Sequence, residues 1–331
     1  MSSRGCCGEK VLMFHSFQLL ARVGLSVTLA GCGAVLIGVA GQSLHWSFDL
    51  AAQFLLPAVI VASVAALIAG LARLPLMAAG SLGIAVLAAL TAGPWTTSPR
   101  PVPAEAPRFS VLLFNVWYRN QQVSEIVQMI RRENPDMVVL LEVTPRIRSE
   151  LQVLGAVYPY RLDCLGSGGC DVLIYSRAQL AAQPVKATQD AEHSPVLSVS
   201  TEIAGCRMMV FATHLTRPFP NRPYEAQRAQ AREIGNEVAA WDGAKLVLGD
   251  FNGAPWGYVM RTISSRGNVD ILTGAGGTWP SYLPQRLRIP IDHMLAGPGL
   301  SFVSRRILPP IGSDHAPVLA EIAVTDPSKC R

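Results

Sequence analysis

The stretch Leu246–Trp256, LVLGDFNGAPW, decides how the rest of the chain reads. Its apolar run, Leu246-Val247-Leu248, stops at Gly249 and has the length of a short buried strand. The Asn252, Gly253 and Pro255 that follow have the composition of a loop at the strand's C-terminal end. Ligand crevices of open α/β sheets form at such ends. Asp250 and Asn252 are two residues apart, and side chains two apart on an extended backbone face the same way. Both can therefore enter one crevice, as a carboxylate base beside an amide donor. An Asx turn whose side chains only cap backbone explains the stretch equally well, so its meaning depends on what recurs elsewhere.

The chain has 331 residues, half of them hydrophobic and 15% charged, with a mean hydropathy of +0.30. The apolar excess lies at the front, where Asp49 is the only charge between Arg22 and Arg73. Three runs, Val23–Gly41, Leu50–Leu71 and Leu74–Gly93, hold 19, 22 and 20 residues. Each is long enough to cross a hydrocarbon core of about 30 Å as a helix rising about 1.5 Å per residue. Three in succession argue against a cleaved leader or a lone buried helix. Arg4, Lys10 and Arg22 precede the first run, the first loop has no Lys or Arg, and Arg73 lies in the second turn. By the excess of positive charge on cytoplasmic loops, the N-terminus and Arg73 are inside and everything after Gly93 is outside. The expected layout is a cytoplasmic segment at 1–16, a three-span anchor at 17–93, a Pro-rich linker at 94–108, a catalytic domain at 109–324 and a tail at 325–331. The protein is thereby expected in a cell (inner) membrane, multi-pass, with its domain on the periplasmic or extracellular side.

From residue 100 on there are 24 Lys and Arg against 21 Asp and Glu. A net of +3 is too small to argue for nucleic acid by itself. Cys164 and Cys170 lie six apart in the Gly-rich LDCLGSGGCD, and an outside location is oxidising, so a Cys164–Cys170 disulfide is expected, with Cys206–Cys330 as a second pair. The spacing does not suit a Cys-x-x-Cys metal site.

Along the domain, short apolar runs end repeatedly in polar residues. Ser110–Phe114 ends at Asn115, Met137–Leu141 at Glu142, Met208–Ala212 at Thr213-His214, and Ile289–Ile291 at Asp292. Gly312-Ser313-Asp314-His315 precedes a last strand, Pro317–Ile322, while Val123–Ile130 and Tyr224–Trp241 have helical spacing. One Asp after a strand is ordinary, but so many endings suggest side chains converging on one rim of a sheet. Hard oxygens from Glu142, Asn115 and Asp314 suit Mg²⁺ or Mn²⁺. Asp250 can deprotonate a water, and two histidines can stabilise a phosphate or act as acid or base. His293, adjacent to Asp292, faces the opposite way on a strand and reads as structural. His193 reads as a solvated loop residue, Trp117 and Trp256 as packing their own loops, and Arg217 and Arg222 as either phosphate contacts or a solvated turn.

The stretches LLFNVW, LLEVTP, FATHLT, LGDFNGAP, RIPIDHMLA and GSDHAPVLAEI resemble, in order, those of the endonuclease/exonuclease/phosphatase superfamily, over about residues 109–323. The three spans look like those of membrane-tethered bacterial members. The resemblance implies a four-layer α/β sandwich, two packed central β-sheets with helices outside. It implies that Glu142 binds the metal with Asn115 nearby and that Asp250 positions the water. Asn252 would hold the phosphate, and His315, oriented by Asp292, would stabilise the pentacovalent state. Asp314 would be a metal or supporting ligand, and His214 matches a histidine of the deoxyribonuclease branch, with Asp171 a guess for its partner. The expected function is nuclease-like, Mg²⁺- or Mn²⁺-dependent phosphodiester hydrolysis of a nucleic acid, a phospholipid headgroup or a small phosphate ester, with a phosphomonoesterase or a phospholipid-headgroup phosphodiesterase as alternatives. A non-catalytic binding module is the reading of a different class. Many members carry an Arg-x-x-Gln pair on the helix after His214; here the nearest match is Gln227-x-x-Gln230, which leaves that helix outside the expected site.

Overall fold

A computed structural model describes residues 5–96, 101–165, 170–182, 196–217 and 222–330. His193 and the side chain of Arg222 lie outside the described residues. The chain divides into two compact units, Met1–Gly93 and Pro94–Arg331.

The first unit contains α1 (Gly5–Gly41), α2 (Trp46–Ala52), α3 (Leu55–Leu71) and most of α4 (Pro75–Thr96). Gln18–Gly41 and Pro75–Thr96 are long and apolar enough to cross a membrane, and α2 with α3 makes a third span if the bent pair is one. The expected single helix over 50–71 is therefore corrected: it breaks after Ala52 and bends by 62°. Ala58, Ala62, Ala65 and Ala69 of α3, and Ser81, Ala85, Ala88 and Ala92 of α4, form buried stripes of small residues. Such stripes let helix backbones approach closely, while Leu67, Leu76, Leu82 and Leu90 point outward.

The second unit holds, among the described residues, two six-stranded sheets. In chain order its elements are β1 (Arg108–Asn115), α5 (Val123–Glu133), β2 (Met137–Leu141), α6 (Pro145–Glu150), β3 (Tyr160–Asp163), β4 (Leu173–Ser176), β5 (Leu180–Ala182), β6 (Val196–Ile203), β7 (Cys206–His214), α7 (Arg222–Ala239), β8 (Ala244–Asp250), α8 (Tyr258–Gly267), β9 (Asp270–Ile271), β10 (Asp292–Ala296), β11 (Leu300–Ile307) and β12 (Val318–Val324). One sheet runs β11-β12-β1-β2-β4-β3 and the other β5-β6-β7-β8-β10-β9. The strand expected at 289–291 instead begins at Asp292, because Ile289 pairs with Trp279 outside the main sheet and Asp292 takes up the register with β8.

The apolar runs are continuous because both faces of each sheet are covered. Val111 and Leu113 of β1 meet Val210 of β7 and Leu246 and Leu248 of β8 in the core between the sheets. Leu112 and Phe114 point the other way, against Ile126, Met129 and Ile130 of α5. Val247 and Phe211 likewise face Ile234 and Val238 of α7 and Ile263 of α8. The result is the four-layer α/β sandwich. Cys164 bonds to Cys170, and Cys206 at the start of β7 bonds to Cys330 near the C-terminus.

Register aligns the strand ends. Asn115 is level with Leu141, so Glu142 begins one residue beyond the rim of the first sheet. In the second sheet His214 and Asp292 are both paired with Asp250. Between β7 and β8 the backbones come so close that a Cβ added at Gly249 would collide with the Thr213 carbonyl oxygen, whereas Gly155 has open space around it. Gly249→Ala should therefore destabilise the fold by about 1–3 kcal/mol, as overpacked cores do. Gly155→Ala should be near neutral, and equal urea midpoints for the two variants would refute the close approach.

Candidate active site

The aligned ends of β1, β2, β7, β8 and β10, with the turn before β12, bring seven of the eight expected site residues to one rim. Asp250 is its centre, 1% exposed. Its Oδ1 accepts from the Asn252 backbone N–H at 2.9 Å. Its Oδ2 accepts from Asn115 Nδ2 at 3.0 Å and lies 3.6 Å from Nε2 of both His214 and His315. Each histidine is held on its other nitrogen by a carboxylate, His214 Nδ1 by Asp171 and His315 Nδ1 by Asp292, both at 2.9 Å.

The charges follow from this arrangement. Burial opposes a charge on His315, but Asp292 and Asp250 together outweigh it and push its pKa up to about 10. His214 behaves alike: against burial, Asp171 and Asp250 raise it to about 9. Burial and the nearby Asp292 raise the Asp250 carboxyl above the usual carboxylate range, despite the two imidazoliums. Asp292 is held low, because its hydrogen-bonded ion pair with His315 overcomes its burial. His293 is buried against the carbonyls of Gly253 and Pro290, and burial pushes it down to about 4, so it is neutral.

Glu142 sits at φ 57°, a left-handed conformation rare for a non-glycine residue, as do Trp117 and Asn252 in neighbouring loops. Its Oε1 accepts from Asn115 Nδ2 at 3.1 Å, its Oε2 accepts from the Tyr118 N–H at 3.1 Å, and Arg217 Nη2 lies 3.8 Å away. The Asn115 amide oxygen already accepts from the Trp117 N–H, so Asn115 presents N–H groups to the two carboxylates instead of a ligand oxygen. The eighth residue, Asp314, is turned aside. Its Oδ2 accepts from the Trp279 indole at 3.1 Å, and its Oδ1 is buried with no hydrogen-bond partner among the described residues.

Two groups could hold a divalent cation. Ligand atoms of Asp250, Asp292 and His315 lie within 4.8 Å of one another. A protonated imidazole has no lone pair to give, however, so His315 offers a cation no ligand atom while it keeps its proton. Glu142 offers a hard carboxylate oxygen beside Asp250, the two bridged by the Asn115 amide. This donor chemistry fits Mg²⁺ or Mn²⁺.

Sequence reasoning left helix α7 out, yet its Gln residues position the site. Gln227 Nε2 donates to the carbonyls of Phe251 and Asn252, both at 3.1 Å. Gln230 accepts from the Thr216 N–H and donates to the Thr216 hydroxyl. Their one-turn spacing was the available signal. Arg305 of β11, which nothing in the sequence singled out, donates to the carbonyls of Gly274, Ala275 and Gly276. Trp256 is buried, as expected of a residue packing its own loop.

Residues 112–315 match the Endonuclease/Exonuclease/phosphatase family. No curated protein shows a match to the chain. Among solved structures, the fold is similar to an endonuclease/exonuclease/phosphatase from Bacteroides vulgatus, at 18% identity over 66% of this chain and 99% of that one, with a TM-score of 0.55. The corresponding protein of Beutenbergia cavernae DSM 12333 is 20% identical over 67% of this chain and 72% of its own, with a TM-score of 0.52. D. rerio TDP2 complexed with a single strand DNA product is 15% identical over 65% and 98%, also at 0.52.

The charge pattern sets a stability profile. His214 and His315 are raised from an unfolded value near 6.5, so they stabilise the folded state below that pH and lose this effect as pH rises through about 9 to 10. In EDTA, the melting temperature should fall across that alkaline window, and His315→Gln should flatten the fall. An unchanged alkaline slope in the variant would contradict the assigned charges.

Proposed function

The chain belongs to the endonuclease/exonuclease/phosphatase family, and we propose that it is a divalent-metal-dependent phosphodiesterase. The family and fold make it a phosphoesterase-type hydrolase; the diesterase reading is carried by one observation. Two carboxylate–histidine pairs converge on the same oxygen of Asp250. A hydrolysis that expels an unactivated alkoxide needs a base for the water and an acid for the leaving oxygen, and this arrangement contains both.

Asp250, with its raised pKa, accepts the proton of the attacking water as the oxygen–phosphorus bond forms. His315, buried and paired with Asp292, keeps its proton and stabilises the charge on the phosphoryl oxygens. His214, whose side chain is 19% exposed, gives its proton to the departing oxygen as the ester bond breaks. Asn252 spends one side-chain N–H on the Leu215 carbonyl, and its second is available to a phosphate oxygen. Glu142, oriented by the Asn115 amide that donates to it, is our assignment for the cation, which when bound would supply Lewis-acid stabilisation of developing charge.

The domain boundaries expected from the sequence, and the outer side of a cell membrane, belong to the same proposal. The Lys and Arg distribution around the spans and the two disulfides support that side. An epitope placed after Arg331 should be reached by antibody on intact cells, and labelling only after permeabilisation would reverse the orientation.

Asp250→Asn should lower kcat on bis-p-nitrophenyl phosphate by about 10²–10⁴-fold. His214→Gln should impair an alkyl phosphodiester more than bis-p-nitrophenyl phosphate, whose activated leaving group needs no proton. The wild-type protein should turn over diesters faster than p-nitrophenyl phosphate, and loss of activity in EDTA should be restored by Mg²⁺ or Mn²⁺. Unchanged turnover in Asp250→Asn would sink the mechanism, and a preference for monoesters would favour the phosphatase alternative.

A further inference from the structure

The two histidines that face Asp250 are fixed in different ways. The carboxylate on His315 comes from Asp292, which is paired with Asp250 in the ladder between β8 and β10, and both side chains of that pair are buried. The carboxylate on His214 comes from Asp171, which lies outside any strand, between Cys170 and β4. The side chains of this second pair are 19% and 30% exposed. In a partly exposed ion pair the attraction is screened and offset by lost side-chain entropy, so it anchors a loop only weakly.

The backbone around Asp171 is held at few points. β3 and β4 run antiparallel, and their last partners toward the site are Asp163 and Leu173. Just past them the Cys164 N–H donates to the Val172 carbonyl at 3.3 Å, and the Asp171 carbonyl accepts from the Val143 N–H at 3.1 Å. β3 is a four-residue edge strand with β4 as its one neighbour in the sheet among the described residues. The ends of such short edge elements open at little cost. The covalent tie is the bond from Cys164 to Cys170, the residue before Asp171. Both cysteines are buried between the sheets, in one cluster with Leu141, which precedes Glu142, and with Val210 and Ala212 of β7, the strand that ends at His214.

We propose that the Cys164–Cys170 disulfide is a positioning cross-link for the proton donor: it fastens Asp171 against His214, so that the acid half of the site is assembled only in the disulfide-bonded chain. The chemical role rests on the phosphodiesterase reading; the structural role does not. Asp171 touches no reacting atom and acts through His214. With Nδ1 held by Asp171, Nε2 is turned toward Asp250. Without that carboxylate the ring is free to rotate, and the negative charge that favours its proton is gone. The other disulfide provides the contrast. Cys206 begins β7 and His214 ends it, so the Cys206–Cys330 bond lies roughly 26 Å along the same strand at the usual rise per residue. It ties down the C-terminal segment and reaches no residue of the site.

The test uses the full chain in detergent with Mg²⁺ and two diesters that differ only in their leaving group, ethyl p-nitrophenyl phosphate and ethyl phenyl phosphate. Nitrophenolate departs as an anion, whereas a phenol with a pKa of about 10, like that of tyrosine, calls for a proton. The paired substitution Cys164→Ala/Cys170→Ala should lower kcat on the phenyl ester about tenfold more than on the nitrophenyl ester, part of the roughly 10²–10⁴-fold that positioned proton transfer contributes. Cys164→Ser/Cys170→Ser serves where the alanine pair does not fold. Asp171→Asn should show the same bias with the disulfide in place, and adding it to the cysteine variant should cost little more, because both remove one interaction. Cys206→Ala/Cys330→Ala should lower the melting temperature and leave the ratio of the two rates unchanged. Independently of turnover, histidine-labelled protein in EDTA should show a downfield imidazole N–H resonance that is missing in Asp171→Asn, and the Cys164/Cys170 variants should lose it too. Equal losses on both esters, additive effects of the cysteine and Asp171 substitutions, or a resonance that survives loss of the Cys164–Cys170 bond would overturn the cross-link. A wild type that hydrolyses neither ester, with the resonance still dependent on the disulfide, would instead refute the phosphodiesterase reading and leave the positioning role standing.

Discussion

The site depends on polar bonds that cross between the two sheets. Asn115 of the first sheet donates to Asp250 of the second, Asp171 in the loop before β4 pairs with His214 of the second, and His315 in the turn before β12 pairs with Asp292 of the second. Unpaired, these buried charges would be prohibitively costly. Placed together, each carboxylate has an imidazolium or amide partner, and both imidazoliums face one oxygen. The alignment of strand ends is what makes this possible. A slip of one residue between β8 and β10 would turn Asp292 to the opposite face and separate it from His315. At Gly249 the backbones of β7 and β8 leave no room for a Cβ.

The backbone is bent into sparsely populated conformations at the same place. Glu142, Trp117 and Asn252 all have φ between 48° and 60°, and all three lie in loops that leave the aligned ends. Asn134 and Asn268 also have positive φ, but there the left-handed residue caps a helix, its common use. The site loops have no such local reason. They are held by Asn120, Gln227 and Gln230 from elements that contribute nothing to the chemistry.

Much of this was legible in the sequence, for a physical reason. A strand buried on both faces must be apolar throughout, so its polar end stands out, and Asn115, Glu142, His214, Asp250 and the SDH turn stood out that way. The Asp171 partner of His214 remained a guess because the pair crosses sheets and no local spacing encodes it. Gln227 and Gln230 were visible as a one-turn pair, but a helix surface glutamine and a loop brace look alike before packing is known. Asp314 was read as a ligand from its neighbours, and only the indole of Trp279 reveals which way one of its oxygens is turned. The bend between α2 and α3 was legible at Pro57, four residues after Gln53, whose missing N–H cannot bond the Gln53 carbonyl and whose ring crowds it.

The central claim is that the protonated His315 of the Asp250–Asp292–His315 cluster offers a cation no lone pair, which leaves Glu142 to hold it. Calorimetric titration of the full-length protein with Mn²⁺ tests this most directly. The account predicts that Glu142→Gln weakens binding by more than about tenfold, a loss of the size seen when a metal site is disturbed, while Asp292→Asn leaves it nearly intact. Undiminished binding in Glu142→Gln together with its loss in Asp292→Asn would place the metal in the buried cluster and contradict the charge assignment.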